Sequence, residues 1–161
     1  MNAIDLLKSQ HREVEDLFGK LAHAKQRDKK EQVFTKLADG LAIHATIEEH
    51  HFYPGVRAKA TEELLLESLE EHLGVKRVLS DLLDTDVEDE TFEAKLKVLK
   101  DLVVHHVEEE ERLLFPKVKK SIAAADLAAL AEAMAAEQAE LEEKGRPREA
   151  VPAETERAAP L

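Results

Sequence analysis

Two stretches of this chain carry side chains able to grip a metal ion. One runs from His44 to Pro54 (HATIEEHHFYP) and the other from His106 to Pro116 (HVEEEERLLFP). In each, a histidine is followed four residues on by a glutamate (Glu48, Glu110), then a second glutamate (Glu49, Glu111), then apolar or aromatic residues and a proline. Four residues on a helix is about one turn, roughly 6 Å along the axis, so the His and the first Glu share a face and reach one point. The repetition is a stronger signal than either copy.

The same pattern extends to two more histidines. His11 precedes His44 by 33 residues and His72 precedes His106 by 34, which makes two matching halves. Each histidine occupies an apolar stripe with helical spacing. The first stripe is Ile4, Leu7, His11, Val14, Phe18 and Leu21, within a helix expected over residues 3–24 and capped by Asn2. The second runs from about Lys30 to Phe52 through Phe34, Leu37, Leu41, His44, Glu48 and His51. Thr61 starts a third, with Leu65, Leu69, His72, Lys76, Leu79 and Leu83. The fourth carries Phe92, Leu96, Leu99, Val103, His106, Glu110 and Leu113 up to Pro116, with Asp89 a candidate cap. Short connections between them predict an all-α, up-down-up-down antiparallel four-helix bundle over residues 1–120. An alanine-rich accessory helix is expected within 121–144, capped by Ser121. Residues 145–161 hold three of the five prolines and no apolar period, which reads as a disordered tail. A docking peptide for a protein partner at its apolar end is the less economical reading.

One histidine on a helix stripe is ordinarily a hydrogen-bonded core residue. A glutamate there is rarer, because burying an unpaired carboxylate costs several kcal/mol. Four histidines and two glutamates on four stripes would ruin a core unless something satisfied them, and a pair of divalent cations would. Imidazole with carboxylate suits iron, manganese, zinc or copper, and with no cysteine there is no thiolate site. Six such ligands are too many for one ion that keeps an open position. Two carboxylate-bridged ions account for all six, and bundle-core sites of that kind hold di-iron or di-manganese. A ferritin-type Glu-x-x-His is present only at Glu48–His51, its counterpart being Leu113, and the His-Glu-x-x-His of zinc proteases does not occur.

Together these motifs resemble the hemerythrin-like proteins, the HHE cation-binding group, over about residues 3–118. The resemblance rests on His11, His44-x-x-x-Glu48 with Phe52-Tyr53-Pro54, Glu71-His72, and His106-x-x-x-Glu110 with Phe115-Pro116. It implies a centre of two non-haem iron ions, oxo- or hydroxo-bridged in some states. Glu48 and Glu110 would bridge them, with terminal imidazoles from His11, His44, His72 and His106. It also implies a protein that binds or reacts with dioxygen, peroxide or another diatomic, catalase-like peroxide decomposition included. The alternatives are an iron- or oxygen-sensing regulatory module, nitric-oxide handling, or iron storage. Two departures stand out. Oxygen carriers place a second histidine four residues after the one on the third helix, where this chain has Lys76. They also use His-x-x-x-x-Asp on the fourth, a spacing that His105 with Glu110 would meet, although His106 fits the stripe better.

The flanking residues have plainer readings beside the functional ones. Glu15 is expected as a surface charge rather than a ligand, and His23 and His50 as surface residues. His51 is either an extra ligand or a packing position like Leu113. Glu49 and Glu111 are either hydrogen-bond partners of ligating imidazoles or solvated. Tyr53 and Phe115 are expected to seal the bundle end, with a Tyr53 hydroxyl at the site the lesser alternative. Gly40 is either a spacer for a diatomic ligand or a tolerated helix glycine. The net charge of −12 argues against nucleic acid and anionic membranes as partners. With neither a spanning segment nor a leader in view, a cytoplasmic location is expected.

Overall fold

Asn2 begins the first helix as expected, through a reciprocal cap. In the computed structural model, which describes residues 1–161, its Oδ1 accepts from the Asp5 N–H at 3.0 Å and Asp5 Oδ2 accepts from the Asn2 N–H at 3.4 Å. That helix is α1 (Ala3–His23), and three residues later α2 (Arg27–Ile47) begins. The fold is all-helical. After α2 come a π-helical turn (Glu48–Phe52), a single turn α3 (Tyr53–Gly55) and α4 (Glu62–Leu83). Then follow α5 (Phe92–Glu109), a second π-helical turn (Glu110–Leu114), α6 (Phe115–Ser121), α7 (Ala124–Lys144) and a 3-10 segment (Pro147–Glu154). Helix α1 packs on α2 and α4 on α5, while α7 lies against α1, α2 and the first π turn. No helix is long and apolar enough to cross a membrane.

The two π turns occupy the same place in the two halves, each opening on the glutamate of its repeated motif. In each, an N–H reaches back five residues: Tyr53 N–H to the Glu48 carbonyl, and Phe115 N–H to the Glu110 carbonyl. The extra residue shifts the buried face. Uninterrupted 3–4 spacing predicts His51 and Leu113 inside, yet Leu113 is 48% exposed and Phe52, Tyr53, Leu114 and Phe115 are buried instead. Leu113 is therefore not a core residue.

Apolar packing forms two clusters with the polar residues between them. One gathers Phe18, Leu37, Leu79, Phe92 and Leu99. The other gathers Ile4, Leu7, Ile47, Phe52, Leu65 and Phe115. Helix α7 belongs to the second through Leu127, Ala131 and Met134. Gly55 leaves space for Leu130 of α7, whose Cδ2 would lie 2.5 Å from a Cβ there. Ser121 does not cap α7, which follows Ala123 with no side-chain cap.

The C-terminal residues are folded, not the disordered tail their composition suggests. Gly145 (φ 77°) and Arg146 (φ 55°), both in the left-handed region, turn the chain back over α2 and α4. Val151 is buried in the first cluster. Arg148 donates to Asp39 (3.1 Å), Lys76 to Glu154 (2.9 Å), and Arg77 to the Thr155 carbonyl (3.0 Å). Val151, the partly buried Ala158, Ala159 and Leu161, and a few ion pairs leave no periodic trace, so composition alone misreads the segment.

Candidate metal centre

Helices α1, α2, α4 and α5 each deliver one histidine to a point between the two apolar clusters, and the π turns deliver Glu48 and Glu110. All six are buried, Glu48 and Glu110 to 0% and 1% exposure. They form two groups whose donor atoms lie within 4.8 Å of one another: His11, His44 and Glu110; and Glu48, His72 and His106. Each group pairs the two histidines of one helical hairpin with the glutamate of the other. The rings stand close in pairs, with centroids 4.9 Å apart for His11–His44 and 4.7 Å for His72–His106.

Every one of the four imidazoles is held from behind. His11 Nδ1 meets Glu111 Oε1 at 2.9 Å, His44 Nδ1 meets Gln10 Oε1 at 2.7 Å, His72 Nδ1 meets Glu49 Oε2 at 2.7 Å, and His106 Nδ1 meets Glu71 Oε1 at 2.9 Å. An acceptor at each Nδ1 fixes the tautomer, leaving the Nε2 lone pair free and aimed inward, as metal-ligating histidines require. The Nε2 atoms surround the carboxylates: His44 and His72 lie 2.9 and 3.1 Å from Glu48 Oε1, His11 lies 3.2 Å from Glu110 Oε2 and His106 lies 3.3 Å from Glu110 Oε1. Donors 2.0–2.1 Å from one ion and at right angles are themselves about 3 Å apart.

The inner atoms also lack partners. His11 Nε2, His44 Nε2, Glu48 Oε2 and Glu110 Oε2 are buried without a hydrogen bond, short contacts notwithstanding, because the angles are wrong. Such orphans are costly in a core, and cations would satisfy them all. The donor set therefore fits metal.

The carboxylates also strengthen the imidazoles' hold on protons. Burial, the largest single influence, depresses the imidazoles of His11, His72 and His106, but the surrounding carboxylates outweigh it and raise all three above 6.5. Burial likewise pushes Glu48 and Glu110 upward, and the facing imidazoles bring them below 4.5. Two permanent cations border the group, Lys76 between Glu49 and Glu154 and Arg12 between Glu111 and Glu15.

Tyr53 is at the centre, not at the bundle end. Its hydroxyl donates to Glu110 Oε1 at 2.6 Å and lies 3.1 Å from His72 Nε2. Burial first, then the charges of Glu110 and Glu48, raise its pKa well above 10, so the O–H is retained. Phe115 does pack as a wall, stacked 6.0 Å from the His11 ring.

Lys76, where oxygen carriers have histidine, neither ligates nor escapes to solvent. It is buried, and its Nζ lies 2.9 Å from both Glu49 Oε1 and Glu154 Oε1. Glu15 is exposed beside Arg12. His50 and His51 both turn to Glu137 at 2.7 Å, away from the centre, and His23 bonds the Gly19 carbonyl of its own helix. His105 is exposed beside Glu71, while His106 enters the centre. Gly40 lines a separate groove beside Glu13 and Lys36 and is not among the residues around the histidine cavity. Gln10 was not singled out by the sequence, and Glu71 entered only beside His72 among the residues that carry the resemblance, with no role of its own. Gln10 sat on the buried stripe beside His11 and was findable there, whereas nothing in spacing marks Glu71.

An apolar cavity of about 40 Å³ opens onto His44, His72 and His106. Its sides include Leu41, Val75, Leu79 and Val103, and Pro147, Val151 and Glu154 of the C-terminal segment form part of its wall. Since a water needs about 10–15 Å³ of such volume, a few water-sized molecules fill it.

An all-helical fold around a buried histidine–glutamate centre defines a bundle of the cation-binding kind. The profile of the hemerythrin HHE cation binding domain matches residues 2–118, and the chain belongs to that family. A crystal structure of a hemerythrin HHE cation binding domain-containing protein from Mycobacterium kansasii is similar over 96% of this chain and 91% of that one, with a TM-score of 0.79 and 28% identity. A Nostoc protein named DNA nickase is 29% identical over 122 residues, 76% of this chain; the chain spans only 35% of that relative's length.

Proposed function

We propose that this chain is a non-haem di-iron protein of the hemerythrin type, with His11, His44, His72, His106, Glu48 and Glu110 as ligands, Glu48 and Glu110 bridging, that binds or reduces dioxygen or hydrogen peroxide. The observation that carries this reading is the set of four imidazoles held at Nδ1, their Nε2 atoms turned toward two carboxylates with orphaned oxygens. Iron held there supplies single electrons to an oxygen ligand, chemistry that protein side chains lack.

The chain's own contribution is orientation, exclusion and proton supply. The four Nδ1 acceptors hold the rings in one tautomer. The apolar cavity admits small ligands and little water, which favours oxygen and peroxide over bulkier or ionic molecules. The Tyr53 O–H, donating to Glu110 Oε1, is a proton held within reach of the same point. The nicking activity named for the Nostoc relative has little support in a chain of net charge −12 that covers a third of that protein.

The test is anaerobic loading with ferrous iron, followed by separate exposure to air and to hydrogen peroxide. The expected stoichiometry is about two irons per chain, lost in His44→Ala and Glu110→Ala. Oxygen evolved from peroxide marks an enzyme, and a reversible absorbance change in air marks a carrier or sensor. A chain that takes up no iron under anaerobic conditions refutes the reading.

A further inference from the structure

We propose that the C-terminal segment Pro147–Glu154 is the size filter of the metal centre, with Val151 as its plug and the Lys76–Glu154 ion pair as its latch. This rests on the di-iron reading above and goes beyond it by naming the ligands admitted: dioxygen and hydrogen peroxide, to the exclusion of organic hydroperoxides.

The cavity has His44, His72 and His106 on one side and Pro147, Val151 and Glu154 on another. The family match ends at residue 118, so this wall is contributed by residues outside the matched domain. Val151, 3% exposed, is the one side chain of the segment that enters the core. It lines the cavity from the segment that rests on α2 and α4. With the segment in place the remaining space suits a diatomic or hydrogen peroxide and not a branched alkyl group.

The hold on this segment is ionic and shallow. Glu154 accepts from Lys76, Asp39 accepts from Arg148, and Arg77 donates to the Thr155 and Glu156 carbonyls at 3.0 and 3.2 Å. Within the segment only Val151 is buried, while Ala158, Ala159 and Leu161 downstream pack partly buried on the second cluster, so Pro147–Glu154 is a lightly anchored stretch between two fixed points, the kind of element that opens locally. Gly145 and Arg146, both left-handed, supply the bend on which it turns. The latch also reaches the centre. Lys76 donates simultaneously to Glu154 and to Glu49, and Glu49 holds His72 Nδ1. A chain of three polar contacts thus connects the filter to one imidazole. It explains why a buried lysine stands where the oxygen carriers place a histidine: it ties down the wall of the cavity.

The test uses the full-length chain and the variants Val151→Ala and Glu154→Gln. Diferrous proteins are compared in single turnover, without added reductant, for the rates at which hydrogen peroxide and tert-butyl hydroperoxide oxidise the two ferrous ions, whose two electrons, with two protons, would cleave one O–O bond to give two waters, or tert-butanol and water. Amide exchange over residues 147–154 is measured on the metal-free proteins. The wild type is expected to discriminate against the bulky peroxide, and in both variants the ratio of the two rates should fall about tenfold. Exchange of the segment should quicken by about the same factor in Glu154→Gln. If exchange quickens while the ratio holds, with about two irons per chain throughout, the filter is refuted and the metal reading stands. Equal rates for the two peroxides in the wild type refute it as well. A wild-type chain that takes up no iron refutes both.

Discussion

Replacing Glu49 by glutamine tests the logic of the centre more sharply than removing a ligand. Glu49 Oε2 accepts from His72 Nδ1 at 2.7 Å and Oε1 accepts from Lys76 Nζ at 2.9 Å. A glutamine has one acceptor oxygen, and the ammonium claims it, because charge-assisted bonds are roughly twice as strong as neutral ones. The amide NH2 then faces His72 Nδ1. To accept from it the imidazole must move its proton to Nε2, the atom aimed at the metals. Loss of an imidazole's outer partner costs about 10–100-fold in metal affinity, or about 1.4–2.7 kcal/mol. The metal-free fold should also lose about 1 kcal/mol, since a charge-assisted bond to a buried carboxylate is replaced by a neutral one. Gln10 shows why an amide succeeds at His44: its Oε1 takes His44 Nδ1 while its Nε2 donates to Gln138 Oε1 at 2.9 Å. Position 49 has a donor where position 10 has an acceptor. Adding Lys76→Gln, which offers an acceptor, should therefore restore affinity to within about threefold of wild type, with Lys76→Gln alone as control. Ferrous affinity would be measured anaerobically by competition with a chromophoric chelator. Wild-type affinity in Glu49→Gln, or a double variant no better than the single, refutes the tautomer argument.

Other outcomes follow from the same geometry. Tyr53→Phe removes a donor from the buried Glu110 carboxylate and should lower metal-free stability by about 1.5–3 kcal/mol in chemical denaturation. The pH dependence of metal-free and loaded protein should diverge. Raised imidazoles at His11, His72 and His106 give stability present below pH 6.5 and lost as pH climbs through their folded pKa values; lowered carboxylates at Glu48 and Glu110 give stability present above pH 4.5 and lost on acidification. Metal needs those imidazoles deprotonated, so the rise in melting temperature on loading should grow between about pH 6 and pH 8. An increment that is flat or shrinks over that range contradicts the proton-for-metal exchange. Gly145→Ala places a side chain at φ 77° and ψ 159°, which should cost about 1–3 kcal/mol, or loosen residues 147–154, as read by thermal melts and amide exchange.

Much of the fold was legible because 3–4 spacing is laid down directly by burial of one helix face. The stripes through Leu37, Leu79 and Leu99 correspond to fully or nearly fully buried residues. The spacing of His11, His44, His72 and His106 brought all four to one place for the same reason. What spacing does not carry is a change of period. A π turn alters the register by one residue without altering composition, so Leu113 was placed inside and Tyr53 was assigned to the bundle end. Contacts made once over long separations were equally hidden: Lys76 with Glu154, and His106 with Glu71, leave no repeat to read. Glu49 and Glu111 were accessible as partners of the imidazoles because the motif itself repeats.

The crossed composition of the two donor groups has a consequence for assembly. His11 and His44 come from one hairpin and their grouped Glu110 from the other; His72 and His106 take Glu48 in the reverse sense. Neither hairpin alone can present either complete group. Full coordination thus has to await docking of the two halves. Metal held in both groups would close two cross-links between segments distant in sequence, restricting the unfolded chain as a disulfide does, in a chain without cysteine. In this protein the ions would be the last components to arrive and the first restraint against the halves coming apart.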